Sequence, residues 1–194
     1  MRKLILLPFL LFLFVPFLSQ AQNSSEGKGI ENTIGLGPRV GFYKANDADE
    51  GNFYFGLQTR IRLGTVLGLE GSIEYRAGQE YSLAGQTFKT KFVPVTASAL
   101  LFLPVSESFA PYGIAGLGGY YTIYDADGPI SNNTENEFNV GYHLGFGVEL
   151  PISSNVALNV DYRYLFLNPN DNQSNFQNTD YSGNVLTGGL MFYF

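Results

Sequence analysis

Between Phe138 and Leu150 every second residue is apolar: Phe138, Val140, Tyr142, Leu144, Phe146, Val148 and Leu150. The residues between them are Asn139, Gly141, His143, Gly145, Gly147 and Glu149. A period of two over 13 residues is the pattern of an extended strand with one wholly apolar face. After Pro151-Ile152-Ser153-Ser154-Asn155 it resumes, with Val156, Leu158, Val160, Tyr162, Tyr164 and Phe166 on one side and Ala157, Asn159, Asp161 and Arg163 on the other. Two such strands joined by a short polar turn predict a hairpin. Its polar face carries charges and three glycines together, which suits a narrow enclosed space where a missing side chain makes room for a long neighbour such as Arg163. The apolar face is therefore expected to point outward, into lipid.

The same alternation organises the rest of the chain. A first strand from about Thr33 to Tyr43 puts Ile34, Leu36, Val40 and Phe42 outward and Arg39 inward, with a break or bulge expected at Pro38, which cannot donate to the ladder. Lys44 to Gly51 reads as an acidic loop. A second strand, Asn52 to Leu63, sends Arg60 and Arg62 inward, and the turn Gly64-Thr65-Val66 leads to a third, Leu67 to about Ala77, with Glu70, Glu74 and Arg76 inward. If Leu63 faces Leu67, Arg60 faces Glu70, and both faces stay consistent. Gly78 to Gln86 reads as a polar loop before a fourth strand, Thr87 to Leu103. There Lys89 and Lys91 share the parity of the apolar residues, so they either stand above the bilayer or are moved by a bulge before Pro94. A fifth, glycine-rich strand from Pro111 to about Tyr124 is assigned Ala115, Leu117, Tyr121 and Ile123 outward. Asp125 to Glu137 and Asn168 to Ser182 read as long loops. A last strand from Gly183 to Phe194 has Leu186, Leu190, Phe192 and Phe194 outward. The expected fold is all-β, an eight-stranded antiparallel up-and-down transmembrane β-barrel, with long loops at one end and short turns at the other.

Arg2 and Lys3 precede an apolar run of about 15 residues, Leu4 to Leu18, followed by Ser19-Gln20-Ala21. The run is short of the about 20 residues a membrane helix needs, and is expected to be a cleaved signal peptide, residues 1–21, of the Sec type. Residues 22–32 read as a flexible polar leader and 33–194 as the barrel domain. Losing Arg2 and Lys3 takes the formal net charge from −6 to −8, which argues against nucleic acid as a partner. Mean hydropathy is only +0.01, as expected when half of each strand faces a polar interior. With no cysteine, neither a disulfide nor a lipid-anchoring thiol exists.

The inward charges are Arg39, Arg60, Arg62, Arg76 and Arg163 against Glu70, Glu74, Glu149 and Asp161. Near balance favours mutual pairing that fills the interior over a sign-biased channel. His143, the single histidine, rules out a multi-histidine metal site. It lies within cross-strand reach of Asp161 and Arg163, with no serine adjacent in sequence. Asp47, Asp49, Glu50, Asp125 and Asp127 follow no calcium-loop spacing. No catalytic residue, metal or cofactor is expected.

Pro111-Tyr112-Gly113-Ile114-Ala115-Gly116-Leu117-Gly118, Gly145-Phe146-Gly147-Val148-Glu149-Leu150 with Asp161-Tyr162-Arg163-Tyr164, and the terminal Phe192-Tyr193-Phe194 resemble the small outer-membrane β-barrel proteins of Gram-negative bacteria, the OmpX/OmpA-barrel type. The resemblance covers residues 22–194 and implies a bacterial outer-membrane location. Thr187, Gly189, Phe192 and Phe194 look like that family's assembly signal, which implies the outer-membrane barrel assembly machinery as a partner. Outer-membrane lipid and lipopolysaccharide are the implied surroundings, and a monomer is expected. Such barrels serve as adhesins, structural proteins or surface factors, so a non-enzymatic scaffold displaying loops to an unidentified surface ligand is the leading reading. The alternatives are a lipid A-modifying enzyme around His143, a small gated pore, and a soluble lipocalin-like binder with its apolar face turned inward.

Overall fold

The computed structural model describes residues 30–194 except 84–85, 104, 107, 126–135 and 168–179, with side chains described outside 77–90 and 122–137. Eight strands follow one another: β1 Ile34–Ala45, β2 Asn52–Leu63, β3 Leu67–Leu83, β4 Gln86–Phe102, β5 Ala110–Asp125, β6 Asn136–Ser153, β7 Val156–Phe166 and β8 Gly183–Tyr193. Each pairs antiparallel with the next, and β8 pairs with β1, so the sheet closes. Closure removes both edges, which in lipid would leave N–H and C=O groups with nothing to bond.

The apolar residues point out. Phe53 is 82 % exposed, Val140 68 % and Leu117 65 %, which inverts the arrangement a lipocalin-like binder needs. Near the long-loop end the outward face is aromatic: Phe42 meets Phe53 edge-on at 5.5 Å, Phe55 lies 5.6 Å from Tyr75, and Tyr142 stacks on Phe166 at 4.6 Å. Such a girdle belongs at a membrane–water boundary. On β5, Ala115, Leu117 and Tyr121 are exposed as expected; the side chain of Ile123 lies outside the described residues.

Several boundaries differ from the sequence reading. Gly78 to Gln86 is not a loop: β3 runs to Leu83 and β4 starts at Gln86. A hairpin that rises past the lipid is wet on both faces and needs no apolar alternation to hold its ladder, so its sequence looks like a loop. The extra residue in this region sits in β3, between Arg76 and Gln79. The β4–β5 register is continuous from Lys89 to Phe102, so the shift beside Lys91 is taken up by β3 and no extra residue lies in β4 before Pro94; in the ladder Lys89 pairs with Glu80 on one side and Asp125 on the other. At Pro38 the expected break is present, as a lapse in the ladder with β8 and not as a bulge. Leu36 faces Phe192 and Arg39 faces Gly189 in one register, and only Gly37 and Pro38 lack a ladder partner on β8. The chains approach closely there: a Cβ on Gly37 would sit 1.7 Å from the Leu190 carbonyl oxygen. A shift does occur between Pro151 and Ser153, at the β6–β7 turn.

The interior is layered, which the sequence reading missed. At the long-loop mouth Tyr43, Ala45, Ala48, Tyr54, Phe92, Tyr120, Leu165, Leu167, Tyr181 and Val185 form a buried apolar cluster. At the short-turn end two more clusters fill the lumen, Leu100, Phe102, Tyr112 and Ile114, and Ile30, Ala157, Met191 and Tyr193. The charges occupy the space between. Of the segment read as a flexible leader, Ile30 to Asn32 are described; they form a turn, and Ile30 is buried.

Candidate functional site in the barrel interior

β2 and β3 set the centre of the site. Leu63 faces Leu67 across the turn in which Gly64 takes φ +72°, and the resulting register puts Arg60 opposite Glu70. The Arg60 Nη2 group donates to Glu70 Oε2 at 2.5 Å. Closure of the barrel then brings two further arginines to the same carboxylate: Arg39 Nη1 at 3.2 Å and Arg163 Nη2 at 2.8 Å, both on Oε1. From this node the pairs continue in both directions. Arg39 lies 3.4 Å from Glu74, which Arg76 binds at 2.6 Å. On the other side Arg60 reaches Glu149 at 2.6 Å and Arg62 reaches it at 3.2 Å. Arg163 also holds Asp161 at 2.5 Å. All nine inward charges expected from the sequence thus lie in one connected column, and every one is buried.

Neutral groups complete the column. Tyr112 donates to Asp161 at 3.1 Å, Tyr193 donates to Glu149 at 2.6 Å, and Arg39 Nη2 donates to the Thr187 hydroxyl at 3.1 Å. Thr187 and Tyr54 share a hydrogen bond of 2.6 Å. The two ends are capped by rings: Arg62 lies 3.5 Å from the centroid of Phe102, and Arg76 lies 4.6 Å and 4.9 Å from those of Tyr43 and Tyr54. A guanidinium over a ring face keeps some electrostatic stabilisation where water is excluded. Gly189 contributes by absence: a Cβ there would sit 2.2 Å from the Gln58 amide, which donates to Asn159 at 2.9 Å. Phe192 and Phe194 point outward, 48 % and 52 % exposed.

His143 is buried in the lumen and lines one cavity with Arg163, as expected, but its hydrogen-bond partner is not Asp161. Its Nε2 shares a 2.9 Å hydrogen bond with Ser98 Oγ, while Asp161 is engaged by Arg163 and Tyr112. Ser98 on β4 and His143 on β6 both face Gly116 on the strand between them, and the missing side chain lets them meet. Among the described residues no carboxylate hydrogen-bonds the histidine. The adjoining cavity, lined by His143, Glu74, Arg76, Thr96, Tyr120 and Arg163 among others, encloses about 10 Å³, room for about one water.

At the long-loop mouth the β1–β2 loop is fastened to the residues before β8. Asn46 Nδ2 donates to Asp180 Oδ2 at 2.8 Å and to the Tyr164 hydroxyl at 2.9 Å, and the Asp180 N–H donates to Asp47 at 2.7 Å. Partial burial alone would raise the Asp180 carboxyl; the bonds from Asn46 and Ser182 hold it below its usual range. The other expected loop residues, 126–135 and 168–179, lie outside the described residues. Among the described residues no group of acidic and histidine side chains is arranged to hold a metal ion.

A model of the outer membrane protein beta-barrel domain matches residues 8–194. Comparison with curated protein sequences gives no match. Among solved structures, Neisserial surface protein A (NspA) aligns with a TM-score of 0.63 at 15 % identity, covering 84 % of this chain and 96 % of its own. OprG from Pseudomonas aeruginosa aligns at 0.57 and 15 %, over 84 % and 96 %. Ail of Yersinia pestis, in complex with the heparin analogue sucrose octasulfate, aligns at 0.53 and 16 %, over 84 % and 97 %. At these identities the likeness is one of fold.

Proposed function

The chain belongs to the outer membrane protein beta-barrel domain family, and from that premise we propose that it is a non-enzymatic outer-membrane barrel: a closed scaffold that carries loops for interaction at the cell surface. The observation that carries this reading is the filled lumen, in which a column of paired charges lies between apolar layers. An eight-stranded barrel is just wide enough for side chains to fill it. Purified protein in planar bilayers is therefore expected to show no steady conductance; a stable, ion-selective current would overturn the closed interior.

A small gated pore would need the arginine–carboxylate column and two apolar layers to move together. The Ser98–His143 pair favours an enzyme on distance alone, but the adjoining space of about 10 Å³ does not admit a lipid chain. In this reading the chain is exported by the Sec route after loss of residues 1–21, inserted by the barrel assembly machinery through Thr187, Gly189, Phe192 and Phe194, and surrounded by lipopolysaccharide as a monomer.

The long loops are then outside and the short turns in the periplasm. Epitope tags inserted at Asn133 and Asn175 are expected to be labelled on intact cells, and one at Ser154 is not; labelling at Ser154 alone would invert the orientation. The ligand of those loops differs in kind from the polyanion bound by Ail. At this end the sequence has Asp47, Asp49, Glu50, Glu80, Asp125, Asp127, Glu135, Glu137, Asp171 and Asp180 against Lys44, Lys89 and Lys91. A surface of that sign repels a sulfated sugar.

A further inference from the structure

The short-turn mouth of the barrel is closed in part by a residue that does not belong to the barrel wall. In the polar stretch Gln22 to Asn32, Ile30 is the one aliphatic or aromatic residue. It is 6 % exposed and packs with Ala157, Met191 and Tyr193. The chain is turned to put it there. The Thr33 hydroxyl donates to the Ile30 carbonyl oxygen, and Asn32 takes φ +56°, a left-handed conformation that asparagine tolerates better than most residues. The Asn32 side-chain oxygen accepts the Gly64 N–H at 3.0 Å, and the Thr33 carbonyl oxygen accepts the Arg62 N–H at 2.9 Å, so the turn is fastened to the β2–β3 connection. Gly35 leaves the space this packing uses: a Cβ there would lie 2.8 Å from the Met191 methyl group and the Tyr193 ring.

We infer that Ile30 is a seal, with which the segment preceding β1 stoppers the short-turn mouth and keeps water from the lower end of the charge column. Tyr193 joins the two, since its side chain packs in the Ile30 cluster while its hydroxyl donates to Glu149, the carboxylate shared by Arg60 and Arg62. The seal hangs on one side chain from a flanking segment, so it can leave without breaking a ladder bond of the wall.

The chain has no cysteine, so an introduced thiol is unique. Ala157→Cys places one in the sealed cluster and Ala48→Cys places one in the apolar cluster at the opposite mouth. Reaction with a small water-soluble thiol reagent is followed on full-length folded protein, identified by its unheated gel mobility. With Ile30 present both thiols should react slowly. Adding Ile30→Gly should raise the rate at Ala157→Cys roughly tenfold or more, the change in open population that follows loss of one buried isoleucine side chain, while Ala48→Cys is unchanged and Ile30→Leu restores protection. Equal rates at Ala157→Cys with and without Ile30 would overturn the seal. Rates that rise together at both ends would overturn it too, because the whole barrel would then have loosened. A reachable thiol in a barrel that still does not conduct separates this seal from the block by the charge column.

Discussion

Replacing Glu70 by alanine is expected to cost more stability than any other single charge removal in this barrel. Its carboxylate takes Arg60 on one oxygen and both Arg39 and Arg163 on the other, and all four side chains are almost wholly shielded from solvent. Removing one partner of a buried pair typically costs about 3–5 kcal/mol because the remaining charge is stranded. Here three guanidinium groups lose a ligand at once, so Glu70→Ala belongs at or above the top of that range. Adding Arg60→Ala should recover only part of the loss: Arg39 and Arg163 still face the gap, and Glu149 loses its 2.6 Å contact with Arg60. Urea or thermal midpoints of the folded form, read from the unheated gel band, give both numbers. A Glu70→Ala barrel within about 1 kcal/mol of the parent would mean that the column is solvated, and strict additivity of the two changes would mean that Arg60 and Glu70 are not coupled.

The first of Glu70's three partners was legible in the sequence and the other two were not. Arg60 follows from a three-residue turn and a period of two, both local. Arg39 and Arg163 lie 31 and 93 residues away, and they arrive only because the sheet closes at one particular stagger. The Ser98–His143 contact is harder still, since it skips the strand between and depends on Gly116 being the residue that both face. Lipid made the outer surface readable: it accepts apolar side chains almost without exception, so β2, β6 and β7 alternate cleanly. The lumen imposes no such rule. Phe92, Leu100, Phe102, Ile114, Leu165 and Met191 point inward, as their parity requires, but nothing in the alternation says that apolar residues would share the lumen and gather in layers above and below the charges. Where lipid stops, as in the upper part of β3 and β4, strands and loops have the same composition, and the pattern loses its meaning.

The seam between β1 and β8 carries the other large effect. Its ladder lapses at Gly37 and Pro38, so at the short-turn end closure rests on the pairs Gly35 with Tyr193 and Leu36 with Phe192, and on the two bonds between Ile34 and Phe194, at 3.3 Å and 3.0 Å. Deleting Phe192 to Phe194 removes all of these. It also removes the Tyr193 N–H bond to the Asn155 carbonyl at 2.7 Å, the Tyr193 hydroxyl on Glu149 and part of the cluster that receives Ile30. The seam would then be open from Ile34 to Pro38, with two unpaired edges facing lipid, which a membrane does not tolerate. The truncated chain is expected to show no heat-modifiable folded band and to accumulate in the periplasm, aggregated or degraded. Phe194→Ala, which keeps the backbone bonds and loses only an outward ring, should fold with a modest loss of yield. Normal insertion of the truncation would show that closure is carried by the long-loop half of the seam, from Arg39 with Gly189 to Ala45 with Gly183.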